Sequence, residues 1–266
     1  MGKITPKDLH FAVVLYNKCG DESVTCRYLQ AHSYLGIHIT IVDNSTSDYG
    51  NDAFCAEQGW DYISMGGNAG LSRAYNRVLE ALKGSAGYVI WCDDDSEFDS
   101  SYLEQVLLYL NKCGDKYQVY APLVFTGDKI YSPNRIDKSG FIQRLKSIEE
   151  LDSKRISAIN SGLVVDLRVY QNYRYDVEMF LDYIDHDFCL FCLRTGVRIR
   201  FMKHAVIRQN SFFEERPSRE KLKKRREIYE KDYIRYLRRN ELNLIKGYKK
   251  LYAGKMILLL QGIRKG

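Results

Sequence analysis

The amino-acid sequence predicts an α/β domain built on an open, mostly parallel central sheet flanked by helices, with a basic helical extension behind it. Three observations predict this. Apolar, β-prone runs alternate with helical stretches through the first hundred residues, polar residues collect where those runs end, and charge divides unevenly along the chain.

The elements follow in order. Residues 9–16 (Leu-His-Phe-Ala-Val-Val-Leu-Tyr) form a continuous β-prone run, as expected of a strand buried on both faces. A helical stretch runs from about Glu22 to Tyr34. A second strand, Gly36 to Asp43, ends at an Asp-Asn-Ser-Thr-Ser turn. Residues 52–58 read as a short helix and Asp61–Met65 as a third strand. Gly66-Gly67-Asn68-Ala69-Gly70 then breaks into a helix at about 71–82. Gly87 to Cys92 is the fourth strand and runs straight into Asp93-Asp94-Asp95. A helix at about 100–112 precedes a strand over 118–125. Residues 126–155 are polar and weakly periodic, which predicts a loop with a short helix. Ala158–Asp166 is a strand interrupted by Asn160-Ser161-Gly162. A helix follows the acidic cluster at 182–187 and reaches Thr195, stopped by Gly196, before short strands at 197–201 and 205–207. From Pro217 onward the chain reads as helix.

Composition narrows the class. The chain has 266 residues, 45% hydrophobic and 28% charged, which is globular and argues against disorder. No stretch approaches the roughly 20 apolar residues of a membrane span, and the longest late run is Met256–Leu260. Met1–Asp8 lack the apolar core of a signal peptide, and Pro6 breaks a myristoylation pattern. The 7 cysteines are odd in number and scattered through apolar segments, so reduced thiols and a cytoplasmic location are expected. The net charge of +6 conceals a division: from Arg216 onward 17 Lys+Arg face 5 Asp+Glu, a local +12, whereas residues 1–215 carry −6. On this basis residues 1–215 are expected to form the main domain, with halves at 1–115 and 116–215. Residues 216–266 are expected to form the basic amphipathic tail.

In an open parallel sheet, ligands bind beyond the carboxyl ends of the strands. Here those ends carry Tyr16-Asn17, Asp43-Asn44-Ser45, Gly67-Asn68 and Asp93-Asp94-Asp95. The turn after the first strand (Asn17 to Glu22) lacks G-x-G-x-x-G, and G-x-x-x-x-G-K-[ST] is absent, which argues against dinucleotide and P-loop sites. Three consecutive aspartates at a buried strand's end repel one another unless a cation neutralises them. Hard oxygen ligands suit Mg²⁺ or Mn²⁺ bridging to substrate phosphates. A solvated turn capping the next helix is the plainer alternative.

Val89-Ile-Trp-Cys-Asp-Asp-Asp-Ser-Glu-Phe resembles the Asp-x-Asp strand end of family 2 glycosyltransferases with the GT-A fold, closest to a rhamnosyltransferase- and galactofuranosyltransferase-like branch. Ile41-Val-Asp-Asn-Ser, Gly67-Asn-Ala-Gly-Leu-Ser-Arg-Ala-Tyr-Asn and Phe180-Leu-Asp-Tyr-Ile-Asp-His-Asp-Phe-Cys-Leu agree in order and spacing, over roughly residues 9–212. The resemblance implies an inverting transfer from a UDP- or dTDP-linked sugar to a glycan or polyprenyl-linked acceptor in bacterial surface polysaccharide synthesis. It implies that Asp43 meets the nucleotide base, flanked by Tyr16 and Asn17, and that Asn68, Gly70, Arg73 and Asn76 lie beside the ribose and diphosphate. Asp93 and Asp95 would hold the metal, with Asp94 between them at the nucleotide. Asp185 would be the general base, in competition with Asp182 and Asp187. Asp182, Ser161 and Gly162 are expected on the sugar and acceptor side.

Two features depart from the family pattern. Many relatives carry a metal-completing His after the last core strand, whereas here His204 comes early and Arg208 or Gln209 stands at that place, Arg208 being suited to contact the diphosphate directly. Cys189-x-x-Cys192 lies in an apolar helical run and reads as core, and His186 as an assistant or a surface residue. The tail's mixture of Lys, Arg and Tyr suits a peripheral position on an anionic membrane surface, the inner face of the cell membrane. A partner-binding helix, a dimer interface or a merely solvated face are its alternatives. No nucleic-acid-reading motif is present. The rival functional class is a non-catalytic nucleotide- or polyanion-binding scaffold on an eroded GT-A body.

Overall fold

The structure is a computed structural model that describes residues 2–151, 154–209 and 218–263. The first half alternates strand and helix: β1 (Leu9–Leu15), α1 (Val24–His32), β2 (His38–Asp43), α2 (Asn51–Gln58), β3 (Asp61–Ser64), α3 (Leu71–Ala81), β4 (Tyr88–Asp93), β5 (Glu97–Phe98) and α4 (Tyr102–Cys113). The second half holds β6 (Val119–Thr126), β7 (Lys129–Ser132), β8 (Asn134–Ile136), β9 (Ile142–Gln143), β10 (Ile156–Ser157), β11 (Leu163–Asp166), α5 (Ile184–Thr195), β12 (Ile199–Arg208), α6 (Arg219–Arg239) and α7 (Leu244–Ile263).

The main sheet runs β3-β2-β1-β4-β11-β6-β12-β5, with β7 hairpinned onto β6. β3, β2, β1 and β4 are mutually parallel. Successive side chains of β1 point to opposite faces: Phe11, Val13 and Leu15 enter a core shared with α1, α2 and α4, and Ala12 and Val14 a core shared with α3, α5 and α6. Burial on both faces is why the run needs no polar alternation. β11 enters antiparallel to β4, pairing Leu163 with Trp91. The residues just before β11 therefore arrive at the same edge as the carboxyl ends of the parallel strands.

Two expectations are corrected. Residues 126–155 are not a loop with a short helix: they form β7, and with β10 a small antiparallel sheet β10-β8-β9, the short helix shrinking to a 3₁₀ turn at Ile148–Glu150. Strands of two to four residues offer too little periodicity to be read as such. The two short strands at 197–207 are one strand, β12, whose register against β6 shifts between Met202 and Val206, so a bulge produced the apparent gap.

The charge boundary at 215/216 does not coincide with a packing boundary. α6 seats Tyr233, Tyr236 and Leu237 in the core at 5%, 0% and 1% exposure, each contributing roughly 1.5–3 kcal/mol by burial. Its acid-base pairs also cross the boundary: Arg235 Nε donates to Asp176 Oδ2 at 2.6 Å, and Asn240 Nδ2 and Arg239 Nε to the two oxygens of Asp187 at 2.7 and 3.0 Å. The positive charge of this segment belongs to its solvated face, and the aromatic stripe at i, i+3, i+4 spacing makes the joint. Gly247 of α7 lies under Leu237. Pro217, read as the start of the helix, and the side chains of Met256–Leu260 lie outside the described residues.

Candidate active site

The carboxyl ends of β1, β2 and β4 converge with the segment leading into β11. Helix α1 locks the acidic turn from beneath. The Thr25 hydroxyl donates to the Asp93 carbonyl at 2.6 Å, and Ser23 Oγ to the Asp94 carbonyl at 2.7 Å. Lys18, in the loop after β1, reaches Asp94 Oδ1 at 3.1 Å. The three aspartates thus take distinct environments. Asp94 has its own cation. Asp93 accepts a short hydrogen bond on Oδ2 from the buried Ser161 hydroxyl, delivered by the antiparallel entry of β11. Asp95 has neither, and burial first, then the charges of Asp93 and Asp94, push its carboxyl up to about 7 against a pull from Lys18. Burial likewise raises Asp93 to about 6, opposed by the Ser161 bond and aided by the charges of Asp94 and Asp185.

Two half-buried carboxyls that resist ionisation are a pair that a cation would relieve. Among the described residues no three His, Cys, Asp or Glu side chains are gathered as a ready metal site. Asp93 and Asp95 are the residues that could hold Mg²⁺ or Mn²⁺, ions that often take one or two carboxylates and draw their remaining ligands from phosphate and water. His204 is exposed at the middle of β12, four residues before its end. Arg208 closes β12 opposite Glu97 of β5, just beyond the acidic turn, with its guanidinium 5.4 Å above the Phe125 ring.

On the β2 side, Asp43 is 7% exposed and already bonded: Oδ1 accepts the Ser45 N–H at 3.0 Å, and Oδ2 accepts Asn51 Nδ2 at 2.9 Å and the Tyr62 hydroxyl at 3.2 Å. Oδ1 keeps lone-pair capacity. Asn17 adopts φ 51° and accepts from the Thr46 N–H at 2.8 Å, so it shapes the loop, while Tyr16 stands 48% exposed at the rim. Asn68 Oδ1 accepts from Asn44 Nδ2 at 3.1 Å. Gly70 has φ +87°, and a Cβ there would stand 2.7 Å from the Phe180 ring, so only glycine fits under that side chain. Arg73 is exposed on α3. Asn76 spends both ends of its amide on the Tyr175 backbone, donating to its carbonyl at 2.9 Å and accepting its N–H at 3.1 Å. Gly162 has φ +71°, its N–H donates to the Trp91 carbonyl at 2.7 Å, and a side chain would collide with Ile207.

The acids near α5 are separated by their partners. Asp187 is 2% exposed and holds Tyr173, Arg239 and Asn240, so it is structural. Asp182 makes a two-pronged ion pair with Arg225. Among the described residues, Asp185 accepts the N–H of His186 at 2.7 Å, with the His186 ring 3.8 Å away and turned to Ser157 Oγ at 2.8 Å. Burial first, then the charges of Asp93 and Asp185, raises the Tyr75 hydroxyl, so Asp185 lies within electrostatic reach of the acidic turn. Cys189 and Cys192 are buried thiols of the core. Sequence reasoning missed Lys18, Arg225 and Asp232; the one available signal was Asp232, the one aspartate of α6, set between Lys231 and Tyr233.

An α/β sheet of this order, with acids at the end of β4 and a further acid, Asp185, in the first turn of α5, defines a glycosyltransferase of the GT-A fold. The chain belongs to glycosyl transferase family 2, whose family model matches residues 13–163. A dTDP-rhamnosyl transferase of Shigella flexneri, RfbF, is 26% identical over 179 residues, 64% of this chain and 60% of that protein, so the chain spans 60% of that relative's length. This agrees with the rhamnosyltransferase-like branch. Two solved structures share the fold: S. aureus TarS 1–349 in complex with UDP (TM-score 0.56, 13% identity, covering 76% of this chain and 60% of that one), and glucosyl-3-phosphoglycerate synthase from Mycobacterium tuberculosis in complex with Mn²⁺, UDP and glucosyl-3-phosphoglycerate (TM-score 0.58, 12% identity, 88% and 80%). Among the described residues, no helix is long and apolar enough to cross a membrane.

Proposed function

We propose that this chain transfers a sugar from a dTDP- or UDP-linked donor to a hydroxyl of a glycan or lipid-linked acceptor, inverting the anomeric carbon. The observation that carries this reading is the acidic turn that follows β4, where Asp93 feels the charge of Asp185 from the start of α5. A single displacement needs the leaving group held on one face of the sugar and a base on the other.

Asp43 and the loop around Asn17 would wall the base, and Gly70 and Arg73 the sugar-phosphate side. Asp93 and Asp95 would hold Mg²⁺ or Mn²⁺, which when bound neutralises charge on the departing diphosphate. Ser161 orients Asp93 for that task. Asp185 accepts the proton of the acceptor hydroxyl, whose oxygen then bonds to the anomeric carbon as the bond to the diphosphate breaks and its electron pair leaves with the phosphate. Asp187 is excluded from that part by its buried partners, and Asp182 by its arginine. The Shigella relative, a dTDP-rhamnosyl transferase, supports dTDP-rhamnose as donor, and a surface polysaccharide is the product that the family resemblance suggests. The exposed Lys221 and Lys223 of α6 suit an anionic membrane surface where a polyprenyl-linked acceptor is met.

Calorimetric titration of dTDP and UDP with and without Mn²⁺, paired with turnover of dTDP-rhamnose by native and Asp185→Asn protein, tests the reading. Metal-dependent binding of one nucleotide, with turnover lost in Asp185→Asn and binding kept, supports it. No binding of either nucleotide in Mn²⁺ removes it, and binding without turnover replaces it with a non-catalytic scaffold.

A further inference from the structure

The turn that launches α5 is held from α6. Asp232 is 0% exposed, and its carboxylate accepts three successive backbone N–H groups: Phe180 on Oδ1 at 2.9 Å, and Leu181 and Asp182 on Oδ2 at 2.8 Å each. Convergent N–H groups of this kind form a nest for an anion, here filled by a side chain fifty residues away. Two turns of helix earlier, Arg225 grips the Asp182 carboxylate with two nitrogens. Aromatic contacts complete the joint. Tyr183 occupies the left-handed region at φ 62°, its hydroxyl 2.9 Å from that of Tyr229, its ring 4.9 and 5.1 Å from those of Tyr233 and Tyr236. A non-glycine residue in that conformation persists only where its surroundings over-determine it.

The opposite side of the same turn touches the donor half. The Phe180 carbonyl accepts the Leu71 N–H at 2.7 Å, and the Phe180 ring covers Gly70. The turn is thus clamped between the start of α3 and the middle of α6, and Asp185 follows two residues after it.

We propose that Asp232, with Arg225, is a positioning residue for the reaction: α6 sets the Phe180–Tyr183 turn and through it the direction in which Asp185 faces the donor. The proposal rests on the functional reading above. Asp232→Asn is the decisive variant, because an amide keeps the shape but offers one accepting oxygen, leaving its NH₂ against one or two of the three N–H groups. The expected result is at least tenfold faster hydrogen exchange at the Phe180, Leu181 and Asp182 amides, with β1 and β4 unchanged. Hydrolysis of dTDP-rhamnose in Mn²⁺ should lose about tenfold or more in kcat, since small misplacements of a base are costly, while the dTDP dissociation constant stays within twofold. Arg225→Gln, at a partly exposed position, should give the same pattern more weakly and guards against a folding defect in the buried variant. Unchanged protection of the three amides overturns the proposal, as does an unchanged kcat or an equal loss of dTDP affinity. If the native chain binds neither dTDP nor UDP, the functional reading fails separately, and the exchange data still decide whether Asp232 holds the turn.

Discussion

Replacing Asp95 by Asn should stabilise the metal-free protein. Its carboxyl titrates at about 7 in the fold and near 3.8 when free, because burial and the neighbouring Asp93 and Asp94 oppose its charge. A carboxyl that binds its proton more tightly when folded destabilises the fold above its folded pKa. The penalty shrinks as pH falls through 7 and is gone below the unfolded value near 4. Three units at ~1.36 kcal/mol each set a ceiling of about 4 kcal/mol at pH 8. Asp93, itself raised to about 6 by burial, shares the repulsion, so about 2 kcal/mol is expected for Asp95 alone, or roughly 4–8 °C in Tm for a domain of this size. The assay is thermal unfolding in EDTA at pH 8 and pH 4.5, then with Mn²⁺. The variant should melt higher at pH 8, keep only about a quarter of that advantage at pH 4.5, and lose the native protein's gain on adding Mn²⁺. A variant no more stable at pH 8, or a difference independent of pH, would refute the electrostatic argument.

Other consequences are open to direct measurement. Asp185→Asn should cut dTDP-rhamnose turnover ~10²–10⁴-fold with dTDP affinity unchanged by calorimetry; a loss under tenfold would remove it as the base. Ser161→Ala withdraws the hydroxyl that favours the charged form of Asp93, so Mn²⁺ affinity at pH 6.5 should fall more than at pH 8.5, a contrast that metal titration reads directly. Asp187→Ala leaves Arg239, Asn240 and Tyr173 without their shared acceptor and should cost about 3–5 kcal/mol in urea unfolding; a change under 1 kcal/mol would contradict its structural role. Gly162→Ala should be destabilised by more than ~2 kcal/mol, since φ +71° and the Ile207 contact both oppose a side chain.

What the sequence alone determined is the part governed by local pattern and covalent neighbourhood. The runs over 9–16 and 87–92 declared two-faced burial because all of their residues except His10 and Gly87 are apolar or β-prone, and Asp93 to Asp95 follow the fourth strand wherever the sheet puts its end. Family 2 membership was legible there too, carried by four short motifs. The tertiary structure decided which acids have partners. Asp182, Asp185 and Asp187 look alike in one dimension. Arg225, Arg239 and Asn240, which lie about forty to fifty residues later, neutralise two of them and leave the third. Only the antiparallel entry of β11 brings Ser161 to Asp93, and only the packing of α6 shows that a segment marked by its charge as an appendage holds the turn before the candidate base. A side chain's chemistry is written in its own residue, but its ionisation and direction are set by whatever folding places beside it.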